Sequence, residues 1–218
     1  MQGTIDRSMD LAALLCSRLC HDLLSPVGAL NNGLELMADE TDPDMRQRCL
    51  DLLGDSARTS ANKLKFFRLA FGSAGGYGDS VPAHEVRSAI EGMFASTDRV
   101  TVGWMVAEDS LAKLPAKILL NLALIAGDAL VRGGQLDIGA EGRDGMIEIV
   151  VRAEGPKIVL DPEVRAALSG ETGVEGVTAR TVAAWMVHGQ VQNVGGQVIQ
   201  SDPGEGALLF GASLPAGK

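Results

Sequence analysis

The sequence has few of the residues that build common metal, disulfide or nucleotide sites. It contains three cysteines and three histidines in 218 residues. The cysteines lack Cys-x-x-Cys spacing, and there is no P-loop or dinucleotide-binding glycine pattern. Cys16 and Cys20 lie four apart on one face of a predicted helix. Because free cysteine behaves as a small apolar residue, we expect buried free thiols and no metal site.

Basic residues are also in deficit. Lysine and arginine together number 19 against 28 acidic residues, for a formal net charge of −9. Binding to a phosphate backbone requires basic patches, so we expect no nucleic-acid partner. No apolar run reaches the length of a membrane span, and the first ten residues contain no apolar core of a secretion signal. We therefore expect a cytoplasmic protein without membrane contact.

Two long amphipathic helices are predicted in the first third of the chain. The first runs from about Ser8 to Ala38, with apolar residues in steps of three, four or seven. The second runs from Pro43 to about Phe71, with Thr41 at the capping position and Gly72 as the stop. Its predicted inward residues are Met45, Leu50, Leu53, Ala57, Ala61, Leu64 and either Phe67 or Phe71. Each helix of a single hairpin buries only one apolar stripe, so the hairpin alone would be only marginally stable. We therefore predict a homodimer in which two hairpins form a four-helix bundle.

The pattern changes after the glycine-rich stretch at residues 72–78, which predicts a boundary between domains at 1–73 and 81–218. Helices are predicted at about 82–95, 115–131, 162–168 and 177–188, and strands at about 99–106, 135–141, 146–153, 197–201 and 206–214. Interleaved strands and helices ending in a hairpin are typical of a two-layer α/β sandwich. The predicted fold class is therefore α+β.

Among the three histidines, His21 lies in the most unusual surroundings. His84 and His188 lie at helix ends, where structural roles are expected. The residues that share the helix face of His21 are Arg18, Leu24, Ser25, Gly28 and Asn32. This small, largely polar face fits either a solvated surface histidine or an exposed nucleophile. In the second case Asp22 would fix the tautomer or accept the proton.

Pro26 follows five residues after His21, inside the predicted helix. Proline removes one helical hydrogen bond, here the bond to the carbonyl of Asp22, and its ring crowds that carbonyl. Either the helix ends at this turn or the missing bond has a function. Our hypothesis is that the missing bond lets the turn bend and so sets the direction in which His21 projects.

Residues 21–27, with the sequence HDLLSPV, resemble the H-box of two-component sensor histidine kinases. The C-terminal half is similar to the ATP-binding domain of the same kinases. Three positions depart from the kinase pattern: Ile125 replaces the magnesium-linked asparagine, Ala153 the adenine-reading aspartate, and Lys157 a glycine. Since magnesium requires oxygen ligands, the resemblance implies a kinase scaffold that has lost its nucleotide-binding groups.

A protein whose histidine can take a phosphoryl group but which cannot draw that group from ATP resembles the alphaproteobacterial ChpT family of dimeric histidine phosphotransferases. The resemblance implies that His21 accepts phosphate from the receiver aspartate of a hybrid kinase and donates it to response-regulator receivers. The helix face of Arg18, Leu24, Ser25, Gly28 and Asn32, here called the docking face, would bind those receivers. The chain would need no cofactor of its own, because Mg²⁺ would come with the receiver. A pseudokinase scaffold or inhibitor and an ATP-dependent kinase are the alternatives.

Overall fold

The N-terminal third of the chain is a helical hairpin. A computed structural model describes residues 2–72, 78–95, 99–202 and 206–216. Helix α1 spans Gln2–Asp39 and helix α2 spans Pro43–Ala70. The predicted pair of helices is confirmed, but α1 begins before Ser8, because residues 2–7 contain no proline that would stop it. In the described parts of the chain, no helix is long and apolar enough to span a membrane.

Helix α2 begins with an aspartate cap. Asp42 Oδ1 accepts hydrogen bonds from the backbone amides of Asp44 at 2.9 Å and Met45 at 3.1 Å. Pro43 takes the first helical position, where its missing amide proton costs nothing. The prediction that Thr41 caps the helix is wrong, because the carboxylate one residue later makes these bonds and also suits the helix dipole.

The described residues of the C-terminal part form two sheets and four α-helices. Its strands are β1 Ser80–Pro82, β2 Val100–Val106, β3 Ser110–Ala112, β4 Gly134–Arg143, β5 Met146–Glu154, β6 Gln197–Gln200 and β7 Ala207–Pro215. Its helices are α3 Ala83–Phe94, α4 Lys113–Ala129, α5 Pro162–Ser169 and α6 Val182–Asn193. The large sheet has the order β2-β4-β5-β7-β6, in which β2 and β4 are parallel and the other pairs antiparallel; β1 pairs with β3.

The predicted α+β class is confirmed, with three local differences. Helix α6 begins at Val182 and not at Val177, because Val174–Gly176 form a short 3-10 turn. Between them, the amide of Thr178 donates to Thr181 Oγ1 at 2.9 Å and holds a turn. The short strands β1 and β3 were not predicted, because three residues are too few for a periodic pattern.

The core lies between the large sheet and α4, which is buried along nearly its whole length. The end of α2 joins this core: Phe66 and Phe67 are buried, and Asn121 Nδ2 donates to the carbonyl of Ala70 at 3.2 Å. The hairpin and the sandwich therefore share one apolar core. The predicted domain boundary stays a prediction, since residues 73–77 of its glycine-rich stretch lie outside the described residues.

The rest of the hairpin leaves much apolar surface exposed. Among the residues predicted to face inward, Phe67 is buried, Leu53 and Phe71 are partly buried, and Met45, Leu50, Ala57, Ala61 and Leu64 are exposed. Within the single chain, α1 covers the opposite side of α2, where Cys49 and Ser56 are buried. The burial of the exposed set in a four-helix bundle stays a prediction. The thiols of Cys16 and Cys20 are free as predicted, but exposed on the uncovered side of α1.

Asp161 links the start of α5 to the turn that precedes α6. As the N-cap of α5 it accepts the amide of Glu163 at 2.8 Å, and its other oxygen accepts Arg180 Nη1 at 2.8 Å. The hydrogen bond from Arg180, and then that from Glu163, hold the pKa of Asp161 below its ordinary value.

We expect Asp161→Ala to lower the free energy of unfolding by about 1 kcal/mol, the usual loss for an N-cap. Asp161→Asn should lose less, since its amide oxygen can still cap the helix. Because the folded pKa is lowered, the ionic part of the stabilisation is present above about pH 4 and is lost as the pH falls through the folded value. Urea unfolding at several pH values measures both effects. Equal losses in the two variants would contradict the capping role.

Candidate functional site

His21 lies on α1 at the edge of a cavity of about 750 Å³ between α1 and the sandwich. Its side chain is 86% exposed. Its Nδ1 lies 3.2 Å from Oδ1 of Asp22, whose side chain is largely buried. A carboxylate only accepts, so the neutral tautomer that satisfies this contact carries its proton on Nδ1 and its lone pair on Nε2.

Arg18 connects this histidine turn to the sandwich. Its Nε donates to Asp22 Oδ2 at 2.8 Å, and its Nη2 donates to Asp128 Oδ2 at 2.7 Å. Asp128 stands near the end of α4, so one guanidinium ties α1 to the central helix of the sandwich. The carboxylate that orients His21 is thereby itself held in place.

The environment of this network shifts the pKa values of Arg18 and Asp128. Burial opposes the charge of Arg18, but Asp128 and Asp22 outweigh it, so the pKa of the guanidinium lies above its usual value. Desolvation of the carboxylate raises the pKa of Asp128, and Arg18 partly offsets that rise. Since 52% of the Asp128 side chain stays exposed, solvent screens this charge. We therefore treat the bond between Arg18 and Asp128 as a surface ion pair of about 0–1 kcal/mol.

Pro26 is buried, and α1 continues through it without a break. The carbonyl of Asp22, which lacks a helical donor because of Pro26, accepts instead from Lys63 Nζ of α2 at 2.8 Å. All three oxygens of Asp22 thus have a partner: His21, Arg18 and Lys63.

The residues of the predicted docking face fall into two groups. Leu24, which is 74% exposed, and Ser25 and Asn32 lie open on α1. Gly28 is partly buried, and a Cβ placed on it would stand in open space. Arg18 differs, because its side chain is only 15% exposed and both ends of its guanidinium are bound within the chain. Its geometry suits a residue that holds Asp22.

The positions that depart from the kinase pattern offer little to a nucleotide. Ile125 is buried and lines the cavity with an apolar side chain. Ala153 is fully buried in β5 between Leu136 and Leu208. Lys157 is exposed. The alkyl side chain of Ile125 cannot supply the oxygen ligand that magnesium requires.

Four residues of the site were not predicted: Lys63, Asp128, Asp161 and Arg180. A signal for Lys63 exists in the hairpin itself, since Asp22 and Lys63 lie nearly equal distances along the chain from the turn at 40–42. The contact of Gly33 with Leu53 follows the same register. The other three depend on how α4, α5 and α6 pack against one another, and no pattern in the sequence specifies that packing.

Comparison with known proteins defines the class. The family described as "Histidine phosphotransferase C-terminal domain" matches residues 83–206. The chain belongs to this histidine phosphotransferase family, and the predicted enzyme class, a protein histidine phosphotransferase of a phosphorelay, is confirmed.

Individual relatives agree with that assignment. The chain is 37% identical over 175 residues to the protein phosphotransferase ChpT of Brucella abortus (strain 2308), covering 80% of this chain and 82% of the relative. It also matches the solved structure of a bacterial phosphotransferase with a TM-score of 0.81 and 31% identity, over 94% of this chain and 96% of the other. The resemblance to the ChpT family stated from the sequence is therefore confirmed.

We expect Arg18→Met to lower the free energy of unfolding by about 1–3 kcal/mol, because it leaves the largely buried carboxylate of Asp22 without its charged partner. Asp128→Asn should cost less than about 1 kcal/mol, since it removes only the solvent-screened half of the network. Urea unfolding at neutral pH measures both. A cost for Asp128→Asn as large as that for Arg18→Met would contradict this division.

Proposed function

We propose that His21 carries the phosphoryl group in this phosphotransferase. The observation that supports the proposal is an exposed imidazole whose Nδ1 contacts a well-held carboxylate. This arrangement fixes the ring orientation and presents Nε2 to an approaching partner. The surrounding docking face offers small or exposed side chains at Leu24, Ser25 and Gly28, so a protein surface can approach closely.

The transfer step follows from this geometry. The lone pair of Nε2 attacks the phosphorus of an aspartyl phosphate, the N–P bond forms, and the P–O bond to the aspartyl carboxylate breaks. The receiver aspartate leaves as a carboxylate, while Asp22 stabilises the positive charge that develops on the ring. The reverse sequence passes the group to the aspartate of a second receiver. Catalysis is then mainly in-line positioning with charge neutralisation.

The partners in this proposal are receiver domains. A hybrid kinase receiver would donate the group, and response-regulator receivers would accept it. The metal ion that neutralises the phosphoryl charge would be Mg²⁺ held in the acidic pocket of the receiver, as the apolar Ile125 in this chain suggests. The same residue supports our proposal that the chain holds no nucleotide of its own. Because its proposed partners are receiver domains, we place its action in the cytoplasm.

We also propose that the chain is a homodimer. Among the hairpin side chains that the structure describes, eight large apolar residues outside the docking face are at least 42% exposed: Met9, Val27, Leu34, Leu36, Met45, Leu50, Leu52 and Leu64. Leu50, Ala57 and Leu64 follow one another at seven-residue steps and form a stripe along α2. Exposed apolar area of this kind marks an interface, and a second hairpin would cover it in a four-helix bundle.

The decisive assay is phosphoryl transfer without ATP. Purified receiver domains from the same genome, loaded with radiolabelled acetyl phosphate, are mixed with the chain. We expect label to pass to the wild type and not to His21→Ala, whereas His84→Ala, which removes another exposed histidine, should transfer normally. Label arriving from ATP alone would assign an ATP-dependent kinase instead. Receivers that bind but never transfer would favour the scaffold.

We expect the wild type to sediment as a dimer at micromolar concentration. A double variant, Leu50→Glu with Leu64→Glu, places two charges in the proposed interface and should sediment as a monomer. Ile199→Glu is the matched control, because Ile199 is equally apolar, 61% exposed, and lies on the sheet away from the hairpin. A wild-type monomer, or dissociation by the control alone, would contradict the proposed interface.

A further inference from the structure

We propose that Lys63 is a positioning residue for phosphoryl transfer, which acts by holding the backbone carbonyl of Asp22 at the turn that Pro26 leaves incomplete. The proposal rests on His21 being the transferring residue. It goes further by assigning a role to a lysine of α2 that is forty-one positions away from the carbonyl it contacts.

The first step of the argument concerns the carbonyl. In an unbroken helix the oxygen of Asp22 would accept from the amide of residue 26, but proline has no amide proton. Pro26 is buried, and the contact between Lys63 and Asp22 is itself partly buried. A buried carbonyl without a donor is costly, whereas a hydrogen bond from a charged donor contributes more than a neutral one.

The second step concerns what this bond fixes. Asp22 is bonded through its side chain to Arg18 and His21, and through its carbonyl to Lys63. The bond from Lys63 comes from the other helix of the hairpin, so it sets the position of this turn relative to α2. A backbone bond at Asp22 therefore controls where the neighbouring imidazole stands, and small displacements of a reacting group slow transfer strongly.

The third step separates this role from direct phosphate binding. A lysine ammonium has three donors, and the carbonyl of Asp22 uses one. If Lys63 worked by binding the phosphoryl group, its contribution would not depend on residue 26. If Lys63 works through the carbonyl of Asp22, an amide proton restored at residue 26 must reduce the effect of losing Lys63 on the transfer rate. Pro26→Ala restores that proton, so the two mechanisms predict different double-mutant results.

The experiment measures single-turnover transfer from a phosphorylated receiver at increasing receiver concentration. It compares the wild type, Lys63→Met, Pro26→Ala and the double variant. We expect Lys63→Met to lower the maximal rate about tenfold without changing the half-saturating receiver concentration. In the Pro26→Ala background the same change should cost less than about twofold. Lys63→Arg, which keeps a charged donor, should recover most of the rate.

Lys65→Met is the matched control, because Lys65 lies on the same helix but bonds Glu85 and Ser88 of α3. It should transfer at the wild-type rate. An equal loss from Lys63→Met in both backgrounds, or no loss in either, would overturn the proposal.

A second readout is independent of transfer. Amide hydrogen exchange of residues 22–30 should accelerate in Lys63→Met, and should not do so once Pro26→Ala is present. If His21 proves not to carry phosphate, this exchange pattern still tests the contact between Lys63 and the turn. Unchanged exchange in Lys63→Met would overturn it.

Discussion

The bonds made by Asp22 are the constraint on which the rest of the site depends. Its two carboxylate oxygens contact His21 and Arg18, and its carbonyl accepts from Lys63. Three elements thus meet at one residue: α1, α2 and, through Arg18 and Asp128, the end of α4. Since the carboxylate is largely buried and the imidazole is exposed, the bonded part of the site lies beneath the exposed part. In the proposed role of His21, the imidazole can then keep one orientation toward each partner.

The sandwich mainly stabilises the hairpin and does not form a second reactive site in this proposal. Its helix α4 forms the centre of the core, and the buried Phe66 and Phe67 of α2 extend that core into the hairpin. Removing the sandwich would expose these side chains and release Asp128 from Arg18. This physical dependence gives the sandwich a structural role, because it stabilises the helix that carries His21.

The hairpin presents two surfaces of opposite character. Around His21 the side chains are small or polar, as at Ser25, Gly28 and Asn32, which suits a contact that forms and dissociates. The stripe through Leu50 and Leu64 is apolar and suits a lasting contact. One pair of helices can serve both purposes because the faces of a helix are separate in space although they alternate along the chain.

The sequence by itself determined the helical hairpin, the α+β class and the family, and it selected His21 as the candidate residue, because periodic patterns and a short motif express these features locally. It also identified Pro26 as a helical fault that frees the carbonyl of Asp22. Only the tertiary structure decided which group donates to that carbonyl, since Lys63 reaches the turn through the packing of α2 on α1. The same holds for Asp128 and for the exposure of Leu50 and Leu64. Such features depend on the distances between helices and strands in the folded chain, and a residue pattern along the sequence does not specify those distances.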